Sequence, residues 1–171
     1  RKDQLITLYK SCKEDSGELF ERLENEDENS LRSDKLFLYY TQLGRCMYSG
    51  EPIDFGALSR GEMYDIDHIF PQSKVKDNSI DNRVLVKNGY NREKTNIYPI
   101  NESIRTKMRP MWEHMKKQGL ISQKKYDRLI RSFPLTDAEL EAFVARQLVE
   151  TRQSTKALAG LLKDIFGEKV R

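Results

Sequence analysis

Residues 64–73 read YDIDHIFPQS, and residues 83–96 read RVLVKNGYNREKTN. A short alternation of apolar and polar side chains begins at Tyr64 and predicts a strand from Tyr64 to Ile69, and RVLVK is typical of a second strand. A polar loop over 71–82 separates the two, and NGYNREKTN predicts a short helix for which Asn88 is a candidate cap. The segment from about 62 to 98 is therefore predicted to fold as strand, loop, strand and helix.

The pair Asp67 and His68 puts an anionic oxygen beside an imidazole near the end of the first predicted strand. Hydrolysis of a phosphodiester needs both, because a hard cation on oxygen ligands neutralises the growing charge while a base takes a proton from water. Regular alternation would point the two side chains to opposite faces, so they reach one phosphate only if the strand ends or bulges there. Pro71 is consistent with such an ending. The competing interpretation is a histidine that serves only the structure.

A second group of polar residues lies on and before the predicted helix. Asn91, in its first turn, could return an amide oxygen to a metal held by the strand carboxylate. Asn82 could hydrogen-bond across the loop and hold the histidine backbone in position, or it could be an ordinary loop-closing asparagine. Lys94 and Arg92 are candidates for contact with a phosphate oxygen, with solvated helix residues as the alternative.

Length and composition bound the class of protein. The chain has 171 residues with 37% hydrophobic and 33% charged content, which suits one soluble domain with solvated helical extensions. No run approaches the roughly eighteen apolar residues of a membrane span, and the first ten residues lack the apolar centre of a signal peptide, so a cytoplasmic protein is expected. Cys12 and Cys46 form no C-x-x-C pair, which argues against a zinc knuckle and a disulfide framework. The opening Arg, inside a predicted helix, favours a piece of a longer protein.

The formal net charge of +3 is unevenly distributed. From Glu14 to Glu28 there are eight acidic residues against Arg22 as the one basic residue, a segment that should repel a phosphate backbone. From Lys74 to Arg131 there are fifteen Lys or Arg against six Asp or Glu, a local balance of +9. This half suits a polyanionic partner, although basic residues on solvated helix faces would give the same count.

Helical spacing covers most of the remaining chain. The predicted helices are 1–24 with a break near Ser16 and Gly17, 34–43, one around the stripe Met108, Met111, Trp112 and Met115, then 122–132 and 136–166. The stripe is interpreted as core rather than as a ligand site. Pro110 lies within it and is expected to break or kink that helix.

Three motifs, YDIDHIFPQS, DNSIDNRVLV and NGYNREKTN, together resemble the HNH nuclease domain of the type II CRISPR RNA-guided DNA endonucleases. The resemblance extends to KLFLYYTQLGRCMYSGEPID, which is similar to the family's entry segment, and to FVARQLVETRQSTK, which is similar to its outgoing linker helix. It implies an α+β fold with a small ββα-metal core and a two-stranded antiparallel sheet among several helices. The implied division is an incoming segment 1–30, a nuclease domain 31–135 and an outgoing linker 136–171.

The resemblance also implies roles and partners. His68 would be the general base, Asp67 and Asn91 the ligands of Mg²⁺, with Mn²⁺ as a substitute, and Asn82 a positioning residue. The substrate would be the target DNA strand paired with guide RNA, while a RuvC-like nuclease domain elsewhere in the effector cuts the other strand. The setting would be antiviral defence in the bacterial cytoplasm. Anti-CRISPR inhibitor proteins are a further class of partner, and the sequence does not identify one.

Two other functions fit the same residues. One is a free-standing HNH endonuclease of the restriction or homing kind, which the flanking sequence would distinguish, since the CRISPR interpretation requires RuvC-like segments on both sides. The other is a non-catalytic nucleic-acid or protein-binding module on the same fold. The intact set of Asp67, His68 and Asn91 argues against the second.

Overall fold

The computed structural model describes residues 1–12 and 17–166, with side chains as far as residue 163 in the last helix. These residues form two compact units, one from 1–72 and 77–134, the other from 73–76 and the chain beyond 134. The predicted α+β class, a two-stranded antiparallel sheet among helices, is confirmed. Glu14, Asp15 and the predicted break at Ser16 lie outside the described residues.

The first unit carries both strands and most of the helices. Its elements are α1 (Lys2–Ser11), α2 (Gly17–Asn25), α3 (Asp34–Thr41), α4 (Phe55–Ser59), β1 (Tyr64–His68), β2 (Arg83–Lys87), α5 (Asn88–Lys94), α6 (Glu102–Lys117) and α7 (Gln123–Ile130). Short 3-10 turns cover Ser30–Arg32 and Ile80–Asn82. In the second unit, the helix α8 spans Asp137–Phe166.

Both predicted strands form, and they pair antiparallel with Asp67 opposite Val84 and His68 opposite Arg83. β1 ends at His68, one residue before the predicted end. The middle of β2 is fully buried, because α3 and α5 both pack on this strand. Its outer edge is not left open: the Gln42 side chain accepts from the backbone N–H of Leu85 at 2.8 Å and donates to the carbonyl of Leu85 at 2.9 Å.

The methionine and tryptophan stripe of α6 is core, as predicted. Met108, Trp112 and Met115 are buried, and the Trp112 indole N–H donates to the carbonyl of Met47 at 3.0 Å. The expected break at Pro110 does not occur, and α6 runs through it. Proline deprives the carbonyl four residues earlier of its helical partner, but Thr106 and Pro110 are both exposed, so water can satisfy that carbonyl.

α4 was not among the predicted helices, and it starts where the Asp54 carboxylate accepts from the backbone N–H of Ala57 at 2.9 Å. Asn88 is the first residue of α5 and not its cap. α3 ends at Thr41, two residues before the predicted end, because Leu43 and Gly44 adopt positive φ angles of 53° and 65°.

The two N-terminal helices pack into the first unit. Leu5, Tyr9 and Leu23 are buried, and the Tyr9 hydroxyl donates to the carbonyl of Tyr40 at 2.7 Å. Cys12 and Cys46 are both buried, and neither takes part in a disulfide within the described ranges.

A reciprocal cap begins α8, because the Thr136 hydroxyl accepts from the N–H of Glu139 while the Glu139 carboxylate accepts from the N–H of Thr136. No helix in residues 1–12 and 17–166 has the length and apolar character needed to cross a bilayer.

Candidate active site

The Asp67 carboxylate is the buried anion of the site. It is 5% exposed, and its Oδ2 accepts a hydrogen bond from the Tyr48 hydroxyl at 2.6 Å. The Lys94 ammonium lies 3.1 Å from the same oxygen and 3.4 Å from Oδ1. Burying a charge is costly unless it is paired and hydrogen-bonded, and Asp67 has both kinds of partner. Burial raises the pKa of Tyr48, and the neighbouring Asp67 charge raises it further. The phenol therefore stays protonated and donates the hydrogen bond.

Lys94 joins α5 to β1. Its ammonium also donates to the carbonyl of His68 at 2.7 Å, and only 7% of its side chain is exposed. Burial lowers its pKa, while the Asp67 charge and hydrogen bond oppose that change. Lys94 is therefore not the solvated helix residue that one interpretation expected, whereas Arg92 is exposed.

His68 closes β1 and is half-buried. Its Nε2 lies 3.0 Å from Oδ1 of Asn78 and 3.0 Å from Nε2 of Gln72, and these two amides also hydrogen-bond to each other at 2.6 Å. β1 ends at His68, and the N–H of Ile69 donates to the carbonyl of Asn82 at 2.8 Å, which ties the start of the following loop to its end. The loop thus holds the ring at one nitrogen.

Asn82 is fully buried and closes the loop that follows His68. Its Oδ1 accepts from the N–H of Phe70 at 2.8 Å, and its Nδ2 donates to the carbonyls of Phe70 at 3.1 Å and of Asp77 at 2.9 Å. The bonds go to residues beyond His68, so Asn82 holds the loop that follows the histidine. Because the buried side-chain oxygen and nitrogen of Asn82 both have hydrogen-bond partners in the loop, the loop has a defined conformation.

Two residues of α7 support the same loop. The Arg128 guanidinium lies 2.9 Å from the Asp77 carboxylate. Burial alone would raise the pKa of Asp77, but hydrogen bonds from Ser79 and Arg128 lower it to about 2. The buried Lys125 ammonium donates to the carbonyls of Ile80 at 3.1 Å and of Arg83 at 2.6 Å, on either side of the loop asparagine.

Asn91 lies on α5, one turn before Lys94 and half-buried. Residues three apart share a side of a helix, so Asn91 is on the side of α5 that Lys94 anchors against Asp67. The structure thus brings Asp67, Lys94 and the His68 carbonyl into contact, and Asn91 lies on the same side of α5 as Lys94. Arg92 is exposed, and Asn82 is buried with its side chain hydrogen-bonded to the loop after His68.

Sequence reasoning missed Tyr48, Gln72 and Asn78. Tyr48 precedes a turn, and Gln72 and Asn78 lie in a polar loop, where such residues are ordinary. No local pattern marks them, because each acquires its partner through tertiary contact.

The donor set suits a hard divalent cation. In the part of the chain that the structure describes, no three His, Cys, Asp or Glu side chains form a metal-binding group. Mg²⁺ does not need one, since it is commonly held by one or two carboxylates with other oxygen ligands and water. The Asp67 carboxylate already holds the Lys94 ammonium at 3.1 Å, and Asn91 lies one turn before Lys94 on α5. The residues present therefore fit the group.

A cavity of about 260 Å³ adjoins the site. Tyr48 and Lys94 line it on the side of Asp67, and Tyr90 and Ile97 line it elsewhere. It offers both an aromatic surface and a cation next to the candidate metal ligand.

Comparisons with known proteins bear on the whole chain. Residues 46–100 match the family model described as HNH endonuclease. The chain is 45% identical over 166 residues to the CRISPR-associated endonuclease Cas9 of Streptococcus mutans, with 95% of the chain and 12% of that protein covered. It is 42% identical to the Cas9 of Listeria innocua, over 94% of the chain and 12% of that protein. A third relative, the Cas9 of Staphylococcus aureus, is 33% identical over 78% of the chain.

The chain thus spans about an eighth of the length of the curated relatives it matches. The similarity reaches well beyond residues 46–100 into the flanking helices. Both findings agree with the resemblance drawn from the three sequence motifs, and the chain belongs to the HNH domains of the Cas9 endonucleases.

Proposed function

We propose that this chain is the domain that hydrolyses the phosphodiester backbone of the DNA strand paired with the guide RNA. The observation that carries the proposal is the buried Asp67 carboxylate, paired with Lys94 and followed directly by a half-buried imidazole at the end of β1. A cation ligand and a base at adjoining positions are what metal-assisted hydrolysis requires.

In this mechanism Asp67 and Asn91 hold the metal and His68 removes the proton from the attacking water. When bound, Mg²⁺, or Mn²⁺ as its substitute, supplies positive charge to the phosphorane oxygens and the 3′-oxygen leaving group. Nε2 of His68 lies 3.0 Å from both loop amides, and a hydrogen bond to Asn78 or from Gln72, according to the tautomer, keeps the imidazole in place. The Lys94 ammonium lies next to Asp67 and adds positive charge where the phosphate would bind.

The proposed substrate and partners follow the same logic. Sequence choice is delegated to base pairing, so this domain recognises backbone and heteroduplex shape, for which the +9 balance from Lys74 to Arg131 is suited. The partners are the guide RNA, the target DNA and the rest of a bacterial effector, with a RuvC-like nuclease domain for the second strand. Anti-CRISPR proteins would be inhibitors of this surface.

The division of the chain belongs to the proposal as well. Residues 31–135 form the nuclease domain around a core at about 62–98, and residues 1–30 and 136–171 connect it to the rest of the effector. The alignment with Cas9 proteins over 95% of the chain supports this interpretation over a free-standing enzyme.

The test replaces His68 with alanine in the complete effector loaded with guide RNA. Cleavage of the guide-paired strand in Mg²⁺ should fall by about 100-fold or more, since a positioned general base contributes about that much, while target binding stays unchanged. His114→Gln is the matched control, because His114 lies on α6 and is the other histidine of the chain. If the His68 variant cleaves at the wild-type rate, the assignment of His68 as the general base is wrong.

A further inference from the structure

Tyr48 lies at a position from which it can act on the metal ligand. It belongs to the segment between α3 and α4, is 1% exposed, and its hydroxyl donates to Oδ2 of Asp67 at 2.6 Å. A phenol has one O–H, and here that donor goes to the carboxylate.

The segment that carries Tyr48 is fixed from two sides. The N–H of Met47 donates to the carbonyl of Leu85 on β2 at 3.1 Å, and the carbonyl of Met47 accepts from the Trp112 indole on α6 at 3.0 Å. Neighbouring Cys46 accepts at its sulfur from the N–H of Lys87 at 3.4 Å. A phenol anchored this firmly defines where its acceptor oxygen must be.

The two oxygens of Asp67 differ in their partners. Oδ2 accepts a short hydrogen bond from the Tyr48 hydroxyl at 2.6 Å and lies 3.1 Å from the Lys94 ammonium, while Oδ1 accepts a longer hydrogen bond from Lys94 at 3.4 Å. The terminal torsion of an aspartate is soft, so without a fixed donor the carboxylate plane is free to turn. The Tyr48 hydroxyl removes that freedom.

We propose that Tyr48 is a positioning residue of the metal centre, which holds Asp67 by Oδ2 so that Oδ1 faces the divalent cation. The inference rests on the proposed function for the identity of Asp67 as a metal ligand. Hydrogen bonds from the protein to a ligating carboxylate orient it, and their loss usually weakens metal affinity by about 10- to 100-fold.

The first measurement is Mn²⁺ binding to the purified 171-residue chain, followed by the electron paramagnetic resonance signal of free Mn²⁺. Tyr48→Phe removes the hydroxyl and should raise the dissociation constant by about 10- to 100-fold. Tyr9→Phe is the matched control, since it also removes a buried phenol hydroxyl that donates at 2.7 Å, but to the carbonyl of Tyr40. Its Mn²⁺ affinity should equal that of the wild type.

The second measurement separates positioning from folding. In the complete effector, Tyr48→Phe should raise the Mg²⁺ concentration needed for half-maximal cleavage and leave the rate at saturating Mg²⁺ close to wild type. A tyrosine that only stabilised the fold would lower the rate at every Mg²⁺ concentration. That result, or Mn²⁺ binding by Tyr48→Phe equal to that of Tyr9→Phe, would overturn the inference.

Asp67→Asn distinguishes this inference from the proposed function. If Mn²⁺ binding survives Asp67→Asn, the cation lies elsewhere, and both the positioning role of Tyr48 and the proposed mechanism are wrong. If Tyr48→Phe and Asp67→Asn both weaken Mn²⁺ binding while His68→Ala leaves cleavage unchanged, the positioning role stands and the proposed mechanism fails.

Discussion

Replacing Lys125 with methionine should remove one pH-dependent contribution to the stability of the fold. Burial lowers the pKa of Lys125 from 10.5 to about 7, with the Asp81 carboxylate opposing the change and the Arg83 guanidinium adding to it. The neutral amine keeps two N–H donors for the carbonyls of Ile80 and Arg83, so the hydrogen bonds survive deprotonation.

The sign follows from proton counts. Between the folded pKa of about 7 and the unfolded value of 10.5, Lys125 is protonated in the unfolded chain and neutral in the folded one. The unfolded state therefore binds one more proton, and the free energy of unfolding rises with pH by roughly 1.4 kcal/mol per unit across this window. From pH 7.5 to 9.5 the lysine should add about 2 kcal/mol, allowing for incomplete titration at the lower end.

The assay is urea unfolding of the wild type and of Lys125→Met at pH 7.5, 8.5 and 9.5. Other groups that titrate in this range are common to both proteins and cancel in the difference between their free energies of unfolding. That difference should grow by about 2 kcal/mol in favour of the wild type as the pH rises. Lys124→Met, at the exposed neighbouring position, should show no such trend. A difference that stays constant with pH would refute the reasoning.

Two further variants probe the contacts around the site. Lys94→Met should lower the free energy of unfolding by about 3 kcal/mol, because it leaves the buried Asp67 charge without its cation. Added Mg²⁺ should reduce the difference in unfolding temperature between this variant and the wild type. If the variant loses no more stability than one in which an exposed lysine is replaced, this account is wrong. Asn82→Ala should cost about 2 to 4 kcal/mol, since buried groups of Phe70 and Asp77 lose their partners, and hydrogen exchange should speed up in the loop. Asn25→Ala, which loses one exposed bond, is its control, and equal losses in the two variants would contradict the loop-closing role.

The strands and α5 could be predicted because their periodicity and turn residues are local. Val84 and Val86 are β-branched and buried, and the strand predicted from Tyr64 forms, although its burial does not alternate, since Asp67 is buried and Ile66 half-buried. The order of elements then limits where Asp67, His68 and Asn91 can lie. Their chemical roles remain predictions, and the structure supplies the geometry for testing them.

The rest depends on contacts between residues distant in sequence. Tyr48 reaches Asp67 across nineteen positions, and Lys125 reaches Arg83 across 42. No sequence pattern near Tyr48 or Lys125 indicates which residue it will contact. At Pro110 a local rule gave the wrong prediction. Proline was expected to break or kink α6, but the helix continues because Thr106, whose carbonyl loses its helical partner, is exposed to solvent.

The pairing of β1 with β2 also sets the side of the strand on which Asp67 lies. Successive strand residues point to opposite faces, and the observed register sets Asp67 opposite Val84 and His68 opposite Arg83. Deleting one residue from β1 would exchange the faces, turning an acid outward and an imidazole into the interior. The length of β1 is therefore constrained by the site itself, because a shift of one position would take the Asp67 carboxylate away from the Tyr48 hydroxyl and the Lys94 ammonium.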